Sequence, residues 1–174
     1  MVSAAALLAP GCTSDSHPAA NATSSSSAPP SIPCRTQDLA AAGSGQFSAS
    51  GHGIAIVVIA NVTNTACAVS GFPVVTLDLD GDAPVRGAVA ATGGYILSDK
   101  PPSQILLVPG GAAFFGIASE HNCQPITALP ARKNFATVSL NESGQGLHTP
   151  IEVSLCNDGA SVGPFRGSWR DVSG

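Results

Sequence analysis

The chain reads as an all-β protein, an immunoglobulin-like β-sandwich of about seven to nine strands behind a disordered N-terminal tether. Three observations predict this. Glycine (19) and proline (14) are frequent in 174 residues, so turn signals recur along the chain. The apolar runs are of strand length, and the longest, residues 54–60, is mostly β-branched. Those runs and turn signals alternate at regular spacing, the pattern of a sandwich rather than of helices joined by loops.

Taken in order, residues 46–50 form a first short candidate strand, and Gly51-His52-Gly53 turns it. Residues 54–62 (Ile-Ala-Ile-Val-Val-Ile-Ala-Asn-Val) are apolar on both faces, which predicts a central strand. Residues 74–79 follow, with Asp80-Gly81 as a hairpin signal into residues 84–90. Residues 104–108 and 112–118 flank Pro109-Gly110-Gly111 and read as a second hairpin, the Pro-Gly pair marking a type II turn. Residues 135–141 and 150–155 flank Gly144-Gln145-Gly146 and read as a third. A helix has one place to start, Thr36-Gln37-Asp38-Leu39-Ala40-Ala41-Ala42, and Gly43 ends it after one or two turns. Gly71 before Phe72-Pro73 suits a turn needing positive φ, and Asn64 suits an Asx-turn. No internal repeat is visible.

The N-terminus carries a different message. Leu7-Leu8-Ala9-Pro10-Gly11 leads into Cys12, and a Ser/Ala/Pro-rich stretch follows. A short apolar run, Gly-Cys and a polar tether is how a bacterial lipoprotein begins. Residues 1–11 are then a signal peptide, Cys12 carries the lipid (palmitate-type acyl chains), and residues 12–33 form the lipidated tether. No Lys or Arg precedes Cys12, and Leu8 stands four residues before it instead of three. A late choice of Met1, with a basic segment upstream, accounts for the missing charge; plain secretion is the alternative. Residues 13–33 cannot bury enough apolar surface to offset the entropy of ordering them. Their expected reach as a flexible chain is roughly 25 Å. No later run approaches the about 18 apolar residues of a membrane-spanning helix.

Charged residues are 10% of the chain and the net charge is −4. No basic stripe exists, so nucleic acid is excluded as a partner. With no Lys/Arg cluster beside Cys12, membrane attachment falls to the acyl chains. The five cysteines are Cys12, Cys34, Cys67, Cys123 and Cys156. Lipid on Cys12 leaves four, which allow three disulfide pairings. Pairing neighbours along the chain favours Cys34–Cys67 and Cys123–Cys156, each closing a loop worth roughly 3–4 kcal/mol. No two cysteines are closer than 22 positions, which argues against zinc.

Four pieces of the sequence together resemble a known family. Cys34 is followed by Asp38-Leu39, and Asn61-Val-Thr-Asn64-Thr-Ala-Cys67 closes the strongest strand. Gly71-Phe72-Pro73 comes next, and Leu107-Val-Pro109-Gly110-Gly111-Ala-Ala113 lies ahead of Cys123. Over about residues 33–164 the chain is similar to the domain of unknown function 4232 family of actinobacterial, mycobacterial-type secreted proteins and lipoproteins. The resemblance implies a β-sandwich at residues 34–164 with the disulfides paired as above. It implies no activity. Residues 165–174, with Phe165-Arg166-Gly167-Ser168-Trp169-Arg170, form a C-terminal tail beyond the usual end.

Catalytic motifs lack their context. Gly159-Ala160-Ser161-Val162-Gly163 spells the nucleophile elbow of esterases, but Pro164 follows where a helix should start and no histidine comes later. Asp78-Leu79-Asp80-Gly81-Asp82 misplaces the glycine of a calcium loop and has Val89 at the twelfth position. His17, His52, His121 and His148 show no paired spacing, and Lys100 sits in a polar loop. No cofactor or metal is expected, and no enzyme. The expected function is a non-catalytic extracytoplasmic module of the cell envelope. It is anchored to the membrane by lipid and binds an unknown envelope protein or ligand. A structural or accessory role without a small ligand is the alternative. Phe72, Tyr95 and Trp169 are the candidate contact residues, since aromatic side chains at loop ends make binding hot spots.

Overall fold

The structure is a computed structural model, and it describes residues 32–49, 52–78, 85–89, 96–119, 134–142, 145–151 and 160–174. A 3-10 turn at Thr36–Asp38 precedes β1 (Leu39–Ala49), β2 (His52–Asn61), β3 (Cys67–Val69) and β4 (Val74–Asp78). Then come β5 (Val85–Arg86), β6 (Ala88–Val89), β7 (Ile105–Leu107) and β8 (Ala112–Ser119). The chain continues through β9 (Asn134–Ser139), β10 (Leu147–Ile151) and β11 (Ala160–Val162) to a 3-10 turn at Trp169–Asp171. The protein is all-β. One sheet has the order β1-β2-β8-β11-β6, a second β10-β9-β4-β5, and β3 pairs with β7 in a small third. The β11–β6 pair is parallel and the other pairs are antiparallel.

The two larger sheets share one core. Ala55, Val57 and Ile59 of β2 and Ala113, Phe115 and Ile117 of β8 face Val75 and Leu77 of β4 and Ala136 and Val138 of β9. The alternate residues of β2 are buried as well. Ile54 and Ile56 join Leu97, Ala118 and Val172 in a second cluster on the opposite face of the five-stranded sheet. The reading of residues 54–62 as a central strand therefore holds, with β1 and β8 on either side.

The expected helix at residues 36–43 is a three-residue 3-10 turn, and from Leu39 the chain is strand. Ala40, Ala41 and Ala42 favour helix on their own. Here they pair with Ala60, Ile59 and Val58, and the sheet overrides local propensity. The expected strand at 46–50 is thus only the end of β1. Residues 104–118 do turn at Pro109-Gly110, where Gly110 has φ 75° and the Gly111 amide donates to the Val108 carbonyl at 2.7 Å. They do not form a hairpin, because β7 pairs with β3 while β8 pairs with β2 and β11. The run at 84–90 likewise divides at Gly87: β5 joins the four-stranded sheet and β6 the five-stranded one. A Cβ at Gly87 would fall 2.4 Å from a Val162 methyl, so the crossing needs glycine. A β9–β10 hairpin forms, Leu147 opposite Val138, but its second strand is Leu147–Ile151 instead of residues 150–155, of which 152–155 lie outside the described residues. The Asp80-Gly81 turn lies outside the described residues; β4 and β5 on either side of it pair antiparallel.

Candidate functional site

The outer face of the five-stranded sheet carries a shallow pocket of about 250 Å³ lined by Ser44, Ile56, Phe114 and Trp169. Each wall has a local cause. On β1 the register slips between Gly43 and Gln46, a β-bulge in which Gly45 takes φ 111°. Bulges re-aim the side chains beside them. Ser44 sits on this one, and its hydroxyl donates to the Ile56 carbonyl at 3.1 Å. The floor comes from β2 and β8. Phe115 belongs to the inner core, so strand alternation puts its neighbour Phe114 on the outer face beside Ile56.

The remaining wall is the end of the chain, folded back across the sheet. Phe165 is buried in the core and meets Phe115 edge-on, ring centroids 5.7 Å apart. Arg166 exchanges backbone hydrogen bonds with Phe114 at 2.7 and 2.8 Å. Its side chain, 5% exposed, donates to the carbonyls of Pro101 (2.9 Å), Ser98 (3.4 Å) and Lys100. The guanidinium thus ties residues 98–101 to the chain end through fixed carbonyl acceptors. The Ser98 amide donates to the Val172 carbonyl, Leu97 bridges to Ser173, and Lys100 Nζ lies 2.7 Å from Asp171 Oδ1. The hydrogen bond and charge of Lys100 lower the pKa of Asp171 below the ordinary carboxylate value. Ser168 accepts the Arg170 amide at 3.2 Å and so caps the 3-10 turn that presents Trp169. Trp169 is 49% exposed, and the Arg170 guanidinium stands 5.5 Å from its ring centre.

Of the expected contact residues, Trp169 lines the pocket. Phe72 is half-buried beside Gly71, which has φ 73° as expected, and is no part of the pocket wall. Tyr95 lies outside the described residues, as do Cys12, His17, His121, Cys123 and Cys156. Cys34 and Cys67 form a disulfide, Cα atoms 4.8 Å apart. Ser161 is a buried strand residue opposite Ala118, and extended chain follows it, so the elbow spelling has no elbow. His148 stacks on Phe135 with ring centres 4.7 Å apart. Asp78 is exposed at the end of β4, and the rest of its acidic motif lies outside the described residues. No metal-binding group of three or more His, Cys, Asp or Glu occurs among the described residues. No helix among them is long and apolar enough to cross a membrane.

Sequence reasoning missed Ser44, Ile56 and Phe114. The adjacent pair Phe114-Phe115 in one strand was the available signal, since both cannot face the same core. It also placed the Asx-turn at Asn64, which is exposed. The structure puts it at Asn61, 1% exposed, whose Oδ1 accepts from the Thr63 amide (2.9 Å) and hydroxyl (2.8 Å). Its Nδ2 donates to the Thr65 (2.8 Å) and Leu107 (3.0 Å) carbonyls, locking β2 to β7.

The pattern described as a domain of unknown function, DUF4232, matches residues 34–166, about three quarters of the chain. The chain belongs to the DUF4232 family. No curated protein and no solved structure matches it. The family segment opens at the disulfide cysteine Cys34 and closes at the buried Arg166, so it contains all eleven strands found among the described residues. Ser44, Ile56 and Phe114 are family-domain residues, whereas Trp169 comes from chain beyond the DUF4232 match.

Proposed function

We propose that this chain is a cell-envelope lipoprotein anchored through Cys12, whose non-catalytic extracytoplasmic β-sandwich binds a small ligand group at the Trp169 pocket. One observation carries the binding reading: a half-exposed tryptophan is held at the wall of a mostly apolar pocket by a chain end pinned through Arg166. An indole has a large apolar face and loses little conformational entropy when it makes a contact. The volume of about 250 Å³ lies below the about 300–1,000 Å³ of pockets that enclose drug-sized ligands. It therefore suits one ring of a larger molecule, with the Ser44 hydroxyl as a polar partner at its wall. The Cys34–Cys67 disulfide supports an oxidising compartment, which agrees with export ahead of Cys12.

The sequence contains one tryptophan, so its fluorescence reports this pocket alone. Titration with hexoses and with benzyl alcohol as ring probes is expected to shift Trp169 emission saturably. Ser44→Arg, which fills the mouth from an exposed position, is expected to abolish the response while the protein still unfolds cooperatively, with a melting temperature lowered by no more than the loss of its one hydrogen bond to Ile56. Flat titrations with every probe would count against binding and favour the structural or accessory role.

A further inference from the structure

Five large apolar side chains are exposed among the described residues: Ile32, Val62, Leu106, Val108 and Trp169. Trp169 belongs to the pocket. The segments that carry the other four are joined to one another by backbone hydrogen bonds and strand pairing. The Ala68 amide donates to the Ile32 carbonyl, and Ala68 pairs with Leu106 across β3–β7. Val108 opens the Pro109-Gly110 turn, whose Gly110 amide donates to the carbonyl of Asn61, next to Val62. Their exposures are 63%, 63%, 59% and 53%, so about half or more of each side chain faces out. Leu106 and Val108 are two apart along one extended segment and share its outward side.

We propose that these segments form an apolar patch that docks onto a lipid surface. Two further observations select a bilayer as the occupant. The first is where the chain enters: Pro33 bridges to Ala68, which lies opposite Leu106, and Cys12 stands 21 positions before Pro33. The proposal rests on the reading of Cys12 as the lipidated residue, which makes this patch the part of the domain nearest the membrane. The second is charge. Residues 32–35, 59–73 and 101–113, which build the patch, contain a single ionisable side chain suited to a headgroup, the exposed Arg35. Asp38, half-buried, touches the patch through its carbonyl, which accepts the Val62 amide. An uncharged apolar surface with a cation at its margin suits the headgroup–acyl boundary of an anionic bilayer. A tether of this length holds the domain at an effective concentration near millimolar, so weak intrinsic affinity is sufficient for docking. Docked this way, the apolar patch turns the domain towards the membrane while the acyl chains hold it there.

The test uses the full chain with Cys12→Ala, which carries no lipid, floated with vesicles of phosphatidylcholine and phosphatidylglycerol at millimolar lipid. The bound fraction is expected to fall about tenfold in the L106D/V108D variant. Both residues are exposed, and an unchanged melting temperature confirms that the variant is folded. Equal flotation of the two proteins overturns the proposal. So does a dimer in sedimentation velocity that the double substitution abolishes while vesicles bind neither protein, because the occupant is then a second copy. Intact mass of the native protein tests Cys12 separately. Lipid on Cys12 with no patch-dependent flotation keeps the anchor and rejects docking, whereas patch-dependent flotation with an unmodified Cys12 keeps the docking and rejects the anchor.

Discussion

Asn61 is the polar residue on which the join between β2 and β7 depends, and Asn61→Ala measures how much. The side chain is 1% exposed and makes four hydrogen bonds, two through each of its polar atoms. Truncation leaves the Leu107 carbonyl without this partner in a buried setting, which costs about 1–3 kcal/mol. Thr63 and Thr65 are nearer solvent, so water replaces their lost bonds at about 0.5–1.5 kcal/mol each. The expected total is about 4–5 kcal/mol, a large share of the about 5–15 kcal/mol that holds a domain together. Asn64→Ala is the control: the residue is exposed three positions away, and its loss is expected within about 0.5 kcal/mol. Equilibrium unfolding in urea decides, with Asn61→Ala lowering the midpoint at unchanged slope. Equal midpoints for the wild type and Asn61→Ala, or an equal loss in Asn64→Ala, would refute the reasoning.

Replacing Cys34 and Cys67 together with Ala frees a loop of 33 positions and is expected to cost roughly 3–4 kcal/mol in the same urea assay. Gly43→Ala places a Cβ 2.5 Å from the Pro150 carbonyl oxygen, where β1 meets β10, and overpacking of this kind costs about 1–3 kcal/mol. Gly167→Ala, with open space around its Cβ position, is expected to be near neutral in the same urea assay. The lowered pKa of Asp171 means that the Lys100–Asp171 contact stabilises the chain end above the ordinary carboxylate pKa and loses that effect as pH falls through the lowered value. Trp169 emission is therefore expected to stay constant from about pH 8 to 5 and to change only under more acidic conditions, and Lys100→Met should remove that acid step.

The parts of this fold legible in the sequence are those where local pattern and tertiary partner agree. The run Ile54-Ala-Ile-Val-Val-Ile is apolar at every position, and β2 is buried on both faces. Leu39-Ala-Ala-Ala was not legible, because its propensity favours helix and only pairing with β2 makes it strand. Pro109-Gly110 announced its turn correctly. A turn signal does not say which sheet each flanking strand will join, and here the two part. Asn61 and Asn64 stand in one short motif, and burial alone separates the structural residue from the exposed one. At the site, Trp169 was visible as an aromatic residue in a polar tail. Arg166 gave no sign that its guanidinium would be buried against three carbonyls, since that contact spans more than sixty positions of sequence.

The proposed function rests on a lipid anchor at Cys12, which would set this DUF4232 sandwich, its pocket and its apolar patch on the outer side of a membrane. Intact mass of the native protein extracted from membranes tests that claim most directly. The expected mass is that of a chain beginning at Cys12 with acyl groups on that residue, lowered by the hydrogens lost to disulfide formation. A chain that retains residues before Cys12, or an unmodified Cys12, would contradict it.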